Sequence, residues 1–220
     1  MNNSETFGLI KFFDNEDFLS QLCNGTFYCN TPEYYRLHTK QGVSDRYECY
    51  SWSFRKTRGD AGAKIVVGGH TIEGLNYVTL RATGMKDSWL HCWTLLEFSQ
   101  DEAEVESLVN DLQRIRNEFG LNYAYMPPSN IWPFLNYLKT LTQHEVSASC
   151  VTYSSRPNEW SPICKSMDYQ YQREFRFLIG ECQELATDQL IIQNQNGFSD
   201  FILKDAGLAI QNINGETFLL

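Results

Sequence analysis

The stretch YQYQREFRFLIG, Tyr169 to Gly180, brings together side chains that could do chemistry. Read with the two-residue period of a β-strand, Tyr169, Tyr171, Arg173, Phe175, Phe177 and Ile179 fall on one side. Gln170, Gln172, Glu174, Arg176 and Leu178 fall on the other. The first side is a core face; the second is either a solvated surface or the wall of a site. As a wall, it holds a fixed negative charge in Glu174. Gln172 beside it can hydrogen-bond through both ends of its amide, and Arg176 can keep Glu174 ionised or meet a phosphate. As a surface, it is an i to i+2 ion pair worth under about 1 kcal/mol.

Other candidates are more scattered. Asp45 and Glu48 in SDRYE read as a paired acid and base or a magnesium site, or else as a local ion pair with Arg46 or a turn cap. Arg55, Lys56, Arg58 and Lys64, near Trp52 and Phe54, form a local excess of positive charge interleaved with aromatics. Such a loop can stack single-stranded bases and meet phosphates, or simply be solvated. His38, His70, His91 and His144 lack the Ser or Cys and Asp context of a nucleophilic dyad. The seven cysteines are widely spaced with no C-x-x-C pair, which reads as reduced thiols in a cytosol and not as a zinc site. Phosphate-loop, G-x-G-x-x-G, H-E-x-x-H and G-x-S-x-G motifs are absent, and the glycines of VVGGH read as a turn.

The elements that must position these residues follow from periodicity and punctuation. Leu9–Phe13 reads as a buried strand, followed by a helix capped by Asp14 or Asn15 and closed near Gly25. Thr26–Cys29 is a second strand. Asn30 or Thr31 then caps a helix with Pro32 in its first position and Glu33 in its first turn. Strands are expected at Asn76–Ala82, Trp89–Glu97, Val146–Tyr153, Tyr169–Ile179, Gln189–Gln193 and Leu208–Ile213. Asp101–Phe119 is the clearest helix, stopped by Gly120. Ser129 is expected to cap a shorter one to Leu141, and SSRPNEWSPICKSMD to be a loop.

The 220 residues, 42% hydrophobic and 14% aromatic, suit a single domain over 1–220. Its class is α+β, with short mixed or antiparallel strands and three or four helices. A net charge of -9 provides no general field for nucleic acid or anionic lipid, so any such ligand is held locally. No leader pattern and no run of 18 apolar residues is present, which predicts a soluble, cytoplasmic protein with no membrane partner.

The order of strand, helix, Gly-x-x-Tyr strand (Gly25 to Tyr28), tyrosine-bearing helix and late Gln-x-Glu resembles the ADP-ribosyltransferase superfamily. Members of that superfamily cleave NAD and pass ADP-ribose to an acceptor. The opening K-F, G-x-x-Y, YYR and D-x-x-E with a distal E-F-R is similar to a broad group of bacterial and phage-defence proteins. Among them are toxins of anti-phage toxin, antitoxin and chaperone systems that ADP-ribosylate messenger RNA.

The resemblance implies an α+β fold around an NAD cleft. Glu174 would stabilise the ribosyl cation and bind a ribose hydroxyl, and Gln172 would orient the incoming nucleophile. Tyr28 would stack on nicotinamide, where otherwise it is a core aromatic. Lys11 would contact the dinucleotide, or snorkel from an edge; many members have His or Arg there. Tyr34, Tyr35 and Arg36 would form an aromatic and cationic lip for adenine or pyrophosphate, or split between core and surface. Arg55 and Arg58 would present a single-stranded RNA acceptor, with a protein acceptor the other possibility. No metal is required, and a toxin implies a cognate antitoxin. A different class of reading is a non-enzymatic protein-interaction module of a phage-defence or counter-defence system, in which Glu174 belongs to a surface ion pair.

Overall fold

The apolar run from Trp89 to Phe98 forms most of the longest strand, Asp87–Phe98, around which the rest is arranged. The computed structural model describes residues 5–211 and 217–219. In chain order these give β1 (Glu5–Phe13), α1 (Glu16–Cys23), β2 (Thr26–Cys29), α2 (Pro32–Leu37), β3 (Trp52–Arg55), β4 (Ile65–Val67), β5 (His70–Ile72), β6 (Tyr77–Leu80) and β7 (Asp87–Phe98). Then come α3 (Glu102–Phe119), β8 (Asn122–Met126), α4 (Pro128–Leu141), β9 (Val146–Cys150), β10 (Thr152–Ser154), β11 (Cys164–Ser166) and a 3₁₀ helix, Met167–Gln172. The chain ends with β12 (Glu174–Cys182), β13 (Leu190–Gln193), β14 (Leu203–Lys204), β15 (Ala209–Gln211) and β16 (Thr217–Leu219).

Six strands make one sheet in the order β14-β8-β1-β7-β12-β9, with every neighbouring pair antiparallel. The α+β class is borne out, with five two-stranded ribbons beside the main sheet among the described residues. Alternation divides the sheet into two faces. Leu9, Trp93, Phe175, Phe177 and Ile179 join one core, completed by Leu19 and Leu22 of α1 and Phe134 and Leu138 of α4. Ile10, Phe12, Leu96 and Tyr123 join the other, completed by Leu108, Leu112 and Ile115 of α3.

Caps and stops explain the helices that frame the site. Asn15 accepts from the Asp17 N–H at the start of α1, and Thr31 accepts from the Tyr34 N–H ahead of Pro32 in α2. Gly120 ends α3 at φ +121, a value side-chain-bearing residues avoid.

Three local expectations are corrected. The strand placed at Tyr169–Ile179 begins at Glu174, because Tyr169–Gln172 winds into the 3₁₀ helix and Arg173 turns the chain at φ +45. Ser129 does not cap α4, which starts at Pro128 directly after Pro127. The segment read as a loop before Tyr169 contains β11, parallel to β10. Of the strand expected at Leu208–Ile213, Ala209–Gln211 is β15, and residues 212–213 lie outside the described residues.

The sheet forks at its centre. Pairing of β1 with β7 runs from Glu5↔Phe98 to Ile10↔Thr94 and goes no further. β1 continues to Phe13 against β8 alone, and β7 continues back to Asp87 against β12. On the edge that β1 has left, Asn30 bridges Leu90 with two backbone hydrogen bonds, 3.0 and 2.7 Å. The end of α3 packs against the tip of this fork. A Cβ on Gly120 would lie 2.1 Å from the Phe13 carbonyl oxygen. Gly120→Ala is therefore expected to cost at least about 1–3 kcal/mol through the positive φ, with the collision in addition. The measurement is a urea midpoint at unchanged m-value.

Candidate functional site

The fork opens into a cavity of about 470 Å³. Its floor follows from strand alternation. Leu96 faces the α3 core, so Thr94 and Cys92 face the same way, and their cross-strand partners on β12 are Glu174 and Arg176. Around these residues the cavity is walled by α2, the loop after it and Gln172 of the 3₁₀ helix, with Ile115 and Phe119 of α3 completing the lining. Lys11, Tyr28, Tyr34, Tyr35, Gln172, Glu174 and Arg176 all line this one space. The two segments singled out in the sequence, roughly 140 residues apart, therefore meet there.

Lys11 stands at the branch point. Its Nζ donates to the Cys92 carbonyl at 2.7 Å, on the β7 edge that β1 has vacated. That oxygen would otherwise lack a partner in the ladder. Burial lowers the Lys11 pKa against the opposing pull of Cys92, Glu174 and Cys29. Lys11 forms no ion pair with a carboxylate among the described residues.

Glu174 is 8% exposed and belongs to a buried ionic cluster. Arg176 donates from both terminal nitrogens to Glu48, at 2.8 and 2.9 Å, from Nη2 to Glu174 Oε2 at 3.0 Å, and from Nη1 to the Pro162 carbonyl at 2.7 Å. Lys165 Nζ lies 3.3 Å from Glu174 Oε2, 3.6 Å from Glu48 and 3.7 Å from Asp45. Burial alone would raise the Glu174 carboxyl; Arg176, Lys165 and a hydrogen bond with Cys92 outweigh it and hold the pKa at about 2. Burial and the neighbouring Glu48 instead push Asp45 up to about 6. The cavity floor thus presents an anionic carboxylate at neutral pH.

Two residues without glycine's freedom adopt left-handed backbone here: Cys49, directly after Glu48, at φ 63, and Arg173, between Gln172 and Glu174, at φ 45. Strain of this kind, of order 1–3 kcal/mol, persists where surrounding structure imposes it, as at binding and catalytic sites.

Gln172 ends the 3₁₀ helix, and both ends of its amide are engaged. Nε2 donates to the Gly42 carbonyl at 2.7 Å, and Oε1 accepts from Lys165 at 3.1 Å. Tyr28 is 42% exposed on the cavity wall. Tyr34 and Tyr35 contact each other edge-on at 5.4 Å, and Tyr34 lies 5.1 Å from His38. His91 also lines the space. Its Nδ1 is 2.8 Å from the Tyr28 carbonyl, so Nδ1 carries the proton, and burial together with Lys11 keeps the ring neutral.

Of the four predicted arginines, only Arg176 reaches the cavity wall; Arg36, Arg55 and Arg58 do not. Arg36 is fully buried, bonded to Glu33 at 2.7 Å and Asp87 at 2.6 Å and stacked 3.6 Å over Tyr50. Arg55 bonds Glu33 at 2.9 Å, and Arg58 bonds Asp60. Their guanidiniums satisfy buried carboxylates and are not presented to a ligand. Lys56 is exposed and Lys64 pairs with Glu73. Arg46 pairs with Asp60 and not with Asp45, whose carboxylate caps the Tyr47 N–H at 3.0 Å. Glu48, read from the sequence only as an acid, base or magnesium ligand beside Asp45, belongs to the site as a partner of Arg176; Lys165 and Cys92 belong to it as well and were not singled out from the sequence. Lys165 sits between Cys164 and Ser166 in a three-residue strand, within a segment whose prolines and serines read as loop, so no local signal marked it.

Among the described residues no group of His, Cys, Asp and Glu has the arrangement of a metal site, and no helix is long and apolar enough to cross a membrane. Comparison of the chain with protein-family models, curated proteins and solved structures finds no match.

The two carboxyls leave opposite signatures in stability. Glu174 has a depressed folded-state pKa, so its contribution is present above the ordinary carboxylate range and is lost as pH falls towards about 2. Asp45 has a raised one; its contribution belongs to the protonated form and is lost as pH rises from 3.8 through about 6. In urea unfolding across pH 2–7, Glu174→Gln should flatten the acid loss of stability. Asp45→Asn should gain on wild type as pH rises through 6.

Proposed function

We propose that the protein is an NAD-dependent ADP-ribosyltransferase, a toxin or anti-phage defence effector acting on a nucleic acid, with RNA favoured, or on a protein. The observation that supports this most is the convergence of Lys11, Tyr28, Tyr34 and Tyr35 with an ionised Glu174 around one cavity. In the reaction, the bond between the ribose C1′ and the nicotinamide nitrogen breaks, and its electron pair leaves with neutral nicotinamide. The ribose becomes an oxocarbenium ion, and the acceptor closes on C1′ and gives up a proton.

A preorganised anion beside that ribose lowers the barrier without reorganising, because Arg176 and Lys165 already hold it in place. Tyr28 offers its exposed ring to nicotinamide, and Lys11 offers its remaining N–H bonds to a phosphate. The tyrosines of α2 flank the dinucleotide, while Arg36 steadies that helix from behind. An RNA acceptor would meet the exposed Trp52 and Lys56, since Arg55 and Arg58 are occupied. A cognate antitoxin accompanies this reading.

A second reading, a protein-interaction module without enzymatic activity, is favoured by exposed apolar side chains on the ribbons β3–β6 and β4–β5: Trp52, Val66, Val67, Tyr77 and Leu80. Incubation with NAD labelled in its phosphates, with RNA or a cell lysate, separates the two. Transferase activity predicts label transfer and nicotinamide release, both reduced at least about a hundredfold in Glu174→Gln. The absence of both, together with no rise in melting temperature at millimolar NAD, would sink the enzymatic reading. Tyr28→Ala should weaken NAD binding by about two- to tenfold in the same thermal titration.

A further inference from the structure

Three carboxylates, Asp45, Glu48 and Glu174, share two cations in the covered floor of the cavity. The two cations are not equivalent. Arg176 is fixed by its two-pronged bond to Glu48 and by the Pro162 carbonyl, so it is already committed when it reaches Glu174. Lys165 stands at 3.3–3.7 Å from all three carboxylates, longer than the usual 2.7–2.9 Å of a charge-assisted hydrogen bond. Its one bond of ordinary length goes to Gln172 Oε1, at 3.1 Å, and its ammonium lies 4.5 Å from the centre of the Tyr169 ring. Gln172 is anchored in turn on the Gly42 carbonyl. A neutral amide thus aims a point charge between three anions.

We infer that Lys165 is a positioning residue of this site: tethered by Gln172, its ammonium balances Glu174 and fixes that carboxylate at the cavity floor. This rests on the reading of Glu174 as the working carboxylate and changes the expectation for Gln172. Its amide has no free end to orient an acceptor, and it acts through Lys165 instead. The other groups around Glu174 do not supply the same balance. Arg176 divides its charge between two carboxylates, Glu48 and Asp45 add negative charge, and Cys92 is a thiol whose pKa burial pushes to about 12. Lys11 is bonded to a carbonyl, and Tyr153 meets the Glu174 backbone N–H and not its carboxylate. Tyr35 and Tyr169 are phenols that burial keeps protonated. Without Lys165, three carboxylates face one guanidinium that is already committed to Glu48, and Glu174 loses the second of its two cations, so its midpoint rises.

The test is a carbon-13 titration of the glutamate side-chain carboxyls on the protein alone, with the Glu174 signal assigned by its disappearance in Glu174→Gln. Lys165→Met is expected to raise the Glu174 midpoint by at least about one pH unit. Lys165→Arg, which keeps the charge, should stay near the wild-type value. A midpoint unchanged in Lys165→Met overturns the assignment, as does an equal rise in both variants, which would mark a packing role. If Lys165→Met does not fold, the charge-balanced Lys165→Met with Asp45→Asn takes its place with the same expectation and the same overturning result. Because the titration contains no NAD, its failure is separate from failure to release nicotinamide. If release is seen, its acid limb should move up in the methionine variant by the same interval as the carboxyl.

Discussion

A strand that leaves its neighbour in mid-sheet abandons backbone groups that water cannot easily reach, and this structure depends on how that debt is met. β1 and β7 part after Ile10↔Thr94. Of the backbone groups exposed along β7, Leu90 is satisfied by Asn30 and the Cys92 carbonyl by the Lys11 ammonium. The cavity exists because both substitutes come from the side, one from the chain after β2 and one from a side chain. A lysine in this place holds the fork open while keeping its charge at the branch. A third sheet hydrogen bond there would have closed the space.

The charges below the fork obey a second constraint. A buried carboxylate is tolerated when it is paired and hydrogen-bonded. Glu174 is held by Arg176, and Arg176 is held by Glu48, which arrives on a loop whose backbone turns at Cys49 with φ 63. The network does not end there: Arg36 Nε donates to the Glu48 carbonyl at 2.9 Å and continues to Glu33 and Asp87. The helix carrying Tyr34 and Tyr35 and the loop carrying Glu48 are therefore joined by the same guanidinium. Arg36 contributes to the cavity by fixing its wall.

Local rules made much of this legible in the sequence. The caps at Asn15 and Thr31, the stop at Gly120 and the alternation from Trp89 to Glu97 depend on neighbours within a few residues, and they appear where expected. The convergence of Gln172, Glu174 and Arg176 survived for a different reason. The strand register was wrong before Glu174, yet the left-handed Arg173 turns Gln172 towards the same space that strand alternation would have given it. What the sequence could not disclose were choices between partners distant along the chain. Arg36 and Arg55 read as ligand-binding cations because the distant carboxylates that claim them, Asp87 for Arg36 and Glu33 for Arg55, become neighbours only on folding. Lys165 was hidden in a stretch whose prolines and serines read as loop.

The same distinction bears on what Gln172 does. In an isolated strand, an amide two residues before a carboxylate would project beside it into solvent, free to bind whatever approaches. Here the 3₁₀ helix turns it sideways, and folding supplies a carbonyl for one end and an ammonium for the other. Its hydrogen-bonding capacity is spent inside the protein, and Gly42, the residue it grips, lies on the loop that carries Lys40 to its ion pair with Asp14, another residue of the cavity wall. A continuous set of bonds therefore runs from the loop at the cavity wall through Gln172 and Lys165 to Glu174. The loop that walls the cavity and the carboxylate on its floor are thus linked through two side chains, the Gln172 amide, engaged at both ends, and the Lys165 ammonium, paired within the cluster.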